Sequence, residues 1–214
     1  MKLVLHNYWR SSASHRVRIG LGLKKLKYDY VVVNIVKSEQ YADAYRSRNP
    51  MGQVPTLEIT EDDGSVRAIS QSLPILEYLD ERFAEPAILP KDLYMRAKAR
   101  ALAEIVNSGI QPHQNLTTTK AVKAMGGDEV VWPKGFISDG LIAFERVAQE
   151  TAGKFCVGDA PSIADCCLIP QLASARRFGV DVTKQSLLLG IEERCLALPA
   201  FADAAPDKQP DAVK

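Results

Sequence analysis

A cluster of hydroxyl side chains near the amino terminus is the first feature that could do chemistry. Ser11, Ser12 and Ser14 form one short run, with Arg10 and Arg16 close to them. A serine hydroxyl is a hydrogen-bond donor, and donation to an anion favours the charged form of that anion. A serine can also simply cap a helix, and we expect that structural role for Ser14. The cluster therefore predicts an anion-stabilising group at Ser11, with Ser12 as the second candidate.

Two later segments combine turn signals with groups that could contact a ligand. Pro55 comes immediately before a predicted strand, where a cis peptide bond at Val54 would present backbone groups to a ligand. An ordinary edge-strand proline is the alternative. Gln71 and Ser72 precede a predicted helix, where a serine is either a cap or part of an open helix terminus that attracts a carboxylate. Spacing alone leaves both pairs of alternatives open.

Composition excludes several classes of partner. The chain has 214 residues, of which 46% are hydrophobic and 25% charged, with a formal net charge of +1. This balance provides no strong field for nucleic acid or anionic lipid, and no apolar run approaches the length of a membrane span. We therefore expect a globular protein of the cytoplasm that contacts neither nucleic acid nor membrane.

The four cysteines contain no CxxC pair and have no histidine cluster near them in sequence. This pattern predicts reduced thiols and no metal site. Cys166 and Cys167 are adjacent within an apolar run, so we expect them to pack in the core rather than to undergo redox chemistry.

The elements that would position these groups change in type along the chain. Short strands are predicted over 3–5 and 28–33, and a hairpin over 56–60 and 66–69, because β-branched residues flank an Asp-Gly turn. Residues 17–23 fit both a strand and a helix by local pattern. A helix is predicted from Ser72.

The second half is predicted to be helical. A proline-containing stretch near residues 85–92 interrupts the helical pattern and is placed as the domain boundary. Apolar stripes follow on helices, one of them at Phe136, Gly140, Phe144 and Val147. Ser162 and Asp165 predict a capping box. The tail from residue 204 is rich in proline and charge, and we expect it to pack loosely on the surface.

The order of these segments, together with the motifs SSASHRVRI at 11–19, QVPTL at 53–57 and QSLPILEYL at 71–79, resembles the glutathione transferase superfamily over essentially the whole chain. The first motif is similar to the serine-serine-cysteine-serine-x-arginine-valine-arginine-isoleucine pattern of its zeta class, the maleylacetoacetate isomerases. The segments around Gln111-Pro112 and Ala175–Asp181 support this resemblance.

The resemblance implies an α/β thioredoxin-like domain at 1–84, a linker at 85–92 and an all-α domain at 93–214. It favours a helix over residues 17–23. It further implies a homodimer.

The resemblance also implies glutathione as cofactor and assigns roles to particular residues. Ser11 would activate the thiol, and the remaining contacts to glutathione would come from Val54, Pro55, Gln71, Ser72 and Gln111. Arg10 and Arg177 would bind a dicarboxylate substrate. Arg176 we expect to be a solvated surface charge.

The implied reaction is cis-trans isomerisation of maleylacetoacetate by reversible thiolate addition. The implied alternatives are maleylpyruvate isomerisation, general transferase, peroxidase or α-haloacid dehalogenase activity, and a non-catalytic glutathione-binding module. Ala13 stands where the family pattern has cysteine, which excludes a catalytic thiol there. His15 stands at a position often occupied by a large aromatic residue, and we expect it to lie near the substrate.

Overall fold

The computed structural model describes residues 1–213 and divides the chain into two compact units. One unit contains Met1–Ala87 together with the segment that begins at Leu198, and the other is Ile88–Ala197. The division falls within the segment predicted to be a linker. Assignment of the last residues to the helical domain was wrong, because they pack with the amino-terminal unit.

The amino-terminal unit contains the sheet. Its elements are β1 (Lys2–Asn7), α1 (Ser12–Leu23), β2 (Asp29–Val32), a short 3₁₀ turn (Glu39–Tyr41), α2 (Asp43–Arg46), β3 (Thr56–Thr60), β4 (Val66–Ser70), α3 (Ser72–Arg82), α10 (Pro199–Ala202) and a second 3₁₀ turn (Pro206–Lys208).

The four strands form one mixed sheet in the order β2-β1-β3-β4. Strands β1 and β2 are parallel, with Leu5 opposite Tyr30, whereas β3 runs antiparallel to both of its neighbours. The predicted hairpin is confirmed, and Gly64 in its turn has a φ of +81° that favours glycine. This is the α/β arrangement that the sequence predicted.

The ambiguous segment after the serine cluster is a helix. Val17 and Leu21 on α1 are buried with Leu5 of the sheet and with Leu79 of α3. A Cβ atom at Gly20 would lie 2.2 Å from a methyl group of Leu76, so glycine permits the close approach of α1 and α3. Tertiary burial thus selects the helix where the local pattern allowed two structures.

The second unit is helical throughout its regular elements. These are α4 (Leu93–Glu104), a π-helical segment (Ile105–Ile110), α5 (Gln111–Gln114), α6 (Leu116–Ala124), α7 (Val131–Ala148), α8 (Ile163–Arg177) and α9 (Ser186–Leu196).

Helix α8 forms the centre of this unit, because nearly all of its residues are buried. The predicted capping box between Ser162 and Asp165 is present at its start. On α7 the predicted stripe is offset from the buried one. Phe144 is buried, but Phe136, Gly140 and Val147 are only half-buried, and the buried positions are Pro133, Ile137, Leu141, Phe144 and Ala148.

The predicted loose packing of the tail was also wrong. Ala204 is only 5% exposed, and the buried Gln209 amide donates to the carbonyl oxygens of Asp203 and Ala205 at 2.9 and 2.8 Å. Within residues 1–213, no helix has the length and apolar character that a membrane span requires.

Candidate active site

Ser11 lies at the junction between the β1-α1 loop and helix α1. Its backbone is extended, and its Oγ accepts a hydrogen bond from the Ser14 N–H at 3.1 Å, so Ser11 is the N-cap of α1. A hydroxyl that accepts one hydrogen bond keeps its own proton for donation. The α1 dipole also favours negative charge at this end of the helix. Ser11 can therefore donate to an anion in front of the helix.

The expected capping role of Ser14 was wrong, since Ser11 holds the cap position. Ser14 is fully buried in the first turn of α1, and its Oγ has no hydrogen-bond partner within residues 1–213. Ser12 is the first residue of α1 and is half-buried. Of the three serines in this cluster, Ser11 and Ser12 are half-buried and only Ser14 is buried.

Arg10 is exposed, and its guanidinium lies over the Trp9 ring, 5.7 Å from the ring centroid. Arg10 immediately precedes Ser11 in the same loop. This placement suits a group that attracts a carboxylate near the Ser11 hydroxyl.

The two departures from the family motif differ in their surroundings. Ala13 is half-buried at the start of α1, whereas His15 is only 3% exposed. Burial, with a smaller contribution from the charge of Arg18, lowers the pKa of His15 to about 3, so the ring stays neutral. The side chain is enclosed in the protein, and the expectation that His15 lies near the substrate stays a prediction.

The turn before β3 presents Val54 at the surface. The Val54-Pro55 peptide bond is cis, and its predicted contact with a ligand stays a prediction. The preceding carbonyl oxygen, that of Gln53, accepts hydrogen bonds from Tyr45 at 2.5 Å and Asn49 at 2.6 Å. Val54 is half-buried and makes no backbone hydrogen bond within the described chain. Its backbone is therefore held in place but remains available to a ligand.

The start of α3 is an open helix terminus. Gln71 occupies the N-cap position without a side-chain cap hydrogen bond, and its φ of +73° is unusual for a residue with a side chain. Ser72 is buried, and its Oγ accepts a hydrogen bond from the buried guanidinium of Arg16 at 3.1 Å. The Gln71 amide also contacts Gln53 at 3.4 Å. Helix dipole and buried arginine together favour an anion at this terminus.

In the helical unit, Gln111 begins α5 directly after the π-helical segment. This widened turn packs closely on α7, since a Cβ atom at Gly140 would lie 2.4 Å from an Ile110 side-chain atom. Farther along α5, the buried amides of Gln114 and Gln171 donate to each other at 3.0 and 3.1 Å. The short helix carrying Gln111 is thus fixed to α7 and α8.

Arg177 is the last residue of α8 and is exposed, with its guanidinium 5.1 Å from the centre of the Phe178 ring. The neighbouring Arg176 is not merely a solvated charge, as the sequence predicted. It forms a two-fold ion pair with Glu192 at 2.6 and 2.5 Å, which raises the pKa of the arginine. This pair links α8 to α9. The side chain of the adjacent Arg177 projects from α8 in a different direction.

All four cysteines are buried, and none of them forms a disulfide within residues 1–213. Burial raises the pKa of the Cys156 and Cys166 thiols well above the ordinary value, which makes them poor nucleophiles. Within residues 1–213, no group of three or more histidine, cysteine, aspartate or glutamate side chains could hold a metal ion.

Sequence reasoning assigned no role to four residues that hold candidate site segments in place: Arg16, Tyr45, Asn49 and Gln171. The Asn-Pro turn at 49–50 was a usable signal for one of them. The others act through long-range contacts, which local pattern does not report.

The mixed sheet, the serine-capped helix and the open α3 terminus define a thioredoxin-like glutathione-transferase fold. A sequence model described as "Glutathione S-transferase, N-terminal domain" matches residues 10–82. The maleylacetoacetate isomerase of Dictyostelium discoideum is 43% identical, covering 99% of this chain and 96% of that protein.

Solved structures support the same family. A maleylacetoacetate isomerase from Anaeromyxobacter dehalogenans with bound glutathione is 49% identical, with a TM-score of 0.91 and coverage of 99% and 98% of the two chains. Another structure from that organism contains dicarboxyethyl glutathione and citrate. A bacterial zeta-class maleylpyruvate isomerase is 39% identical, with a TM-score of 0.91 and coverage of 98% and 100%. The chain belongs to the zeta-class glutathione transferase and maleylacetoacetate isomerase family.

Proposed function

We propose that this protein is a glutathione-dependent cis-trans isomerase, acting on maleylacetoacetate. The observation that carries the proposal is the Ser11 hydroxyl, which accepts from the first turn of α1 and keeps its proton for an incoming anion. The full-length similarity to isomerases of that name supports the choice of reaction.

The residues present fit glutathione. The open terminus of α3, with Gln71, Ser72 and the buried Arg16 behind it, suits the γ-glutamyl carboxylate. The free backbone groups of Val54, oriented by Pro55, suit the peptide part of the molecule. Gln111 is kept as a proposed polar contact to glutathione because of the family resemblance.

Bound glutathione supplies a nucleophilic thiol that is returned unchanged at the end of the reaction. A free thiol has a pKa of about 8.5, so only about 7% is thiolate near pH 7.4. Ser11 raises this fraction by donating a hydrogen bond to the sulfur, in the positive field of the α1 terminus. The neighbouring Ser12 is the second candidate for this role.

Arg10 and Arg177 bind the carboxylates of the substrate in this proposal. Both guanidiniums are on exposed residues and lie over aromatic rings that limit their motion. Positive charge placed where negative charge develops lowers the barrier of the reaction. Neither residue has to transfer a proton for this role.

A second candidate function is isomerisation of maleylpyruvate. The bacterial maleylpyruvate isomerase has the same TM-score, 0.91, as the maleylacetoacetate isomerase with bound glutathione. The activated thiol would also serve transferase, peroxidase or dehalogenase chemistry as side reactions.

We also propose a homodimer located in the cytoplasm. Leu93 and Tyr94, at the start of α4, expose 81% and 65% of their surfaces, which supports a protein contact there. Four reduced thiols are typical of a reducing compartment. Analytical ultracentrifugation would test the dimer, which a sedimentation coefficient of a 23.5 kDa particle at micromolar concentration would contradict.

The test of the function is isomerisation with and without glutathione. Maleylacetoacetate and maleylpyruvate are offered separately, and the trans product and free glutathione are both measured. The proposal expects trans product without net loss of glutathione, faster with maleylacetoacetate. Faster turnover of maleylpyruvate selects the second candidate. If the protein fails to lower the pKa of bound glutathione, measured by thiolate ultraviolet absorbance, both are wrong.

A further inference from the structure

The carboxyl-terminal segment of the chain is bound to the loop that carries Ser11. We call residues 198–213 the carboxyl-terminal strap. The strap and the loop belong to the same compact unit, and helix α10 of the strap packs on α1. The contact is close, since a Cβ atom at Gly22 would lie 3.1 Å from the Ala200 Cα.

Arg18 makes one connection between strap and loop. It is on α1, only 2% exposed, and its Nε donates to the strap carbonyl of Ala204 at 3.1 Å. Its other nitrogens donate to Asn7 Oδ1 at 3.1 Å and to the Tyr8 and Trp9 carbonyls at 3.4 and 3.0 Å. One planar guanidinium thus fixes two successive loop carbonyls and the strap together.

Asp211 makes the other connection from the strap itself. One carboxylate oxygen accepts the Trp9 N–H at 3.0 Å, and the other accepts the Tyr30 hydroxyl at 2.5 Å. Burial, followed by the bond to Asp211, raises the pKa of Tyr30, so the phenol remains a donor. The carboxylate is therefore held by β2 on one side and holds the loop on the other.

These bonds converge two residues before Ser11. Trp9 has its N–H bound by Asp211 and its carbonyl bound by Arg18. The Ser11 N–H then donates to the Tyr8 carbonyl at 3.0 Å, the same carbonyl that Arg18 reaches. Both peptide groups of Trp9 are thus restrained, and Ser11 is tied directly to that restrained segment.

We infer that Arg18 and Asp211 are positioning residues for Ser11, so that the carboxyl-terminal strap is part of the thiol-activating site. This inference depends on the proposed function, because it assigns to Ser11 the role stated there. A donor displaced by even a fraction of its bond length loses much of its effect on an anion. The glutathione contacts proposed for Val54, Gln71 and Ser72 lie on other segments, and none of these three residues hydrogen-bonds to the strap within residues 1–213.

The test compares full-length Asp211→Ala and Asp211→Asn with Asp207→Asn, which removes an exposed carboxylate from the same strap. The pKa of the bound thiol, kcat, KM for glutathione and the thermal midpoint are measured for each. For Asp211→Ala we expect a thiol pKa raised by about one unit, kcat lowered about tenfold and KM within about twofold. Asp211→Asn, which can still accept from Trp9, falls between this variant and the wild type.

The sign of the pKa change separates positioning from charge. If Asp211 acted only through its negative charge, its removal would lower the thiol pKa. A lowered or unchanged pKa, an equal effect of Asp207→Asn, or a changed thermal midpoint with kcat intact each overturns the inference. Tyr30→Phe removes one support of Asp211, and it replaces Asp211→Ala if that variant does not fold. A small rise in thiol pKa is expected for it, and no rise overturns the inference.

The two proposals fail in different ways. If the wild-type protein does not lower the thiol pKa, the proposed function is wrong and the inference falls with it. If the wild-type protein lowers it and the Asp211 variants match the wild type, only the positioning role is wrong.

Discussion

Two helix starts in the amino-terminal unit differ in how their backbone N–H groups are satisfied. At α1, the Ser11 side chain accepts from the first turn. At α3, the N-cap residue Gln71 provides no side-chain bond, and the nearest hydroxyl, on Ser72, is occupied by Arg16. Both termini favour anions, but at α1 one of the first N–H groups, that of Ser14, is bonded to a side-chain cap, whereas α3 has no side-chain cap.

The difference separates binding from activation. An open terminus backed by a buried arginine suits a permanent carboxylate, which remains charged at every stage. A capped terminus with one remaining hydroxyl proton suits a group whose charge has to be stabilised only when it forms. Changes at α3 should therefore affect affinity, and changes at α1 should affect turnover.

The largest expected effect is that of Ser11→Ala. Loss of the donor should lower kcat by about 10²- to 10³-fold, as loss of an oxyanion donor does in other enzymes. KM for glutathione should change little. Loss of the helix cap should also lower the unfolding free energy by about 1 kcal/mol, measured by urea denaturation. An isomerase rate near that of the wild type would transfer the role to Ser12, which Ser12→Ala would then test.

Ser72→Ala should give the opposite kinetic result. Removal of a hydroxyl bonded to a buried guanidinium should raise KM for glutathione by about 10- to 100-fold, with kcat at saturation nearly unchanged. Ser70→Ala, at the half-buried end of β4, is the matched control and should match the wild type. If kcat falls while KM stays constant, binding and activation are not divided between the two helix starts.

The stability of the folded protein should depend on pH through His15, which lies on α1. Its pKa is lowered from 6.5 to about 3 in the folded protein, so the unfolded chain binds a proton between these values and the folded chain does not. Stability is therefore lost as pH falls through this window, by about 2 kcal/mol between pH 6.5 and 5. His15→Phe should remove this part of the loss in urea denaturation at the two pH values. An equal loss in both proteins would contradict it.

The smallest effect is expected for Ser14→Ala. The buried Ser14 hydroxyl has no partner within residues 1–213, so its removal should change the unfolding free energy by no more than about 0.5 kcal/mol. Its backbone N–H, which bonds to Ser11, remains in the variant. A clear loss of turnover would show that Ser14 has a chemical role after all.

Local patterns were sufficient for the strands, the hairpin and the capping box of α8. Each depends on neighbours in sequence, as with Ser162 and Asp165, or on the alternation of β3 and β4. They were insufficient for residues 17–23, where burial against Leu5 and Leu79 selects the helix. The same limit applies to Ser14, because competition with Ser11 for the cap is decided by backbone geometry.

Long-range contacts account for the remaining errors. The tail has the composition of a loose segment, yet Asp211 and Ala204 have partners about 200 residues earlier in the chain. Nothing in the local sequence records those partners. The burial of His15 was not predicted for a related reason, since position in a motif indicates proximity along the chain but not the direction of the side chain.

The return of the strap to the first unit has a consequence for biosynthesis. The helical unit is inserted between two parts of the amino-terminal unit, since that unit resumes at Leu198. During synthesis, Arg18 emerges early but its acceptor on Ala204 emerges only near the end. Residues 88–197 are complete before the amino-terminal unit is. The part of the protein that is synthesised first is therefore the last to have all of its contacts.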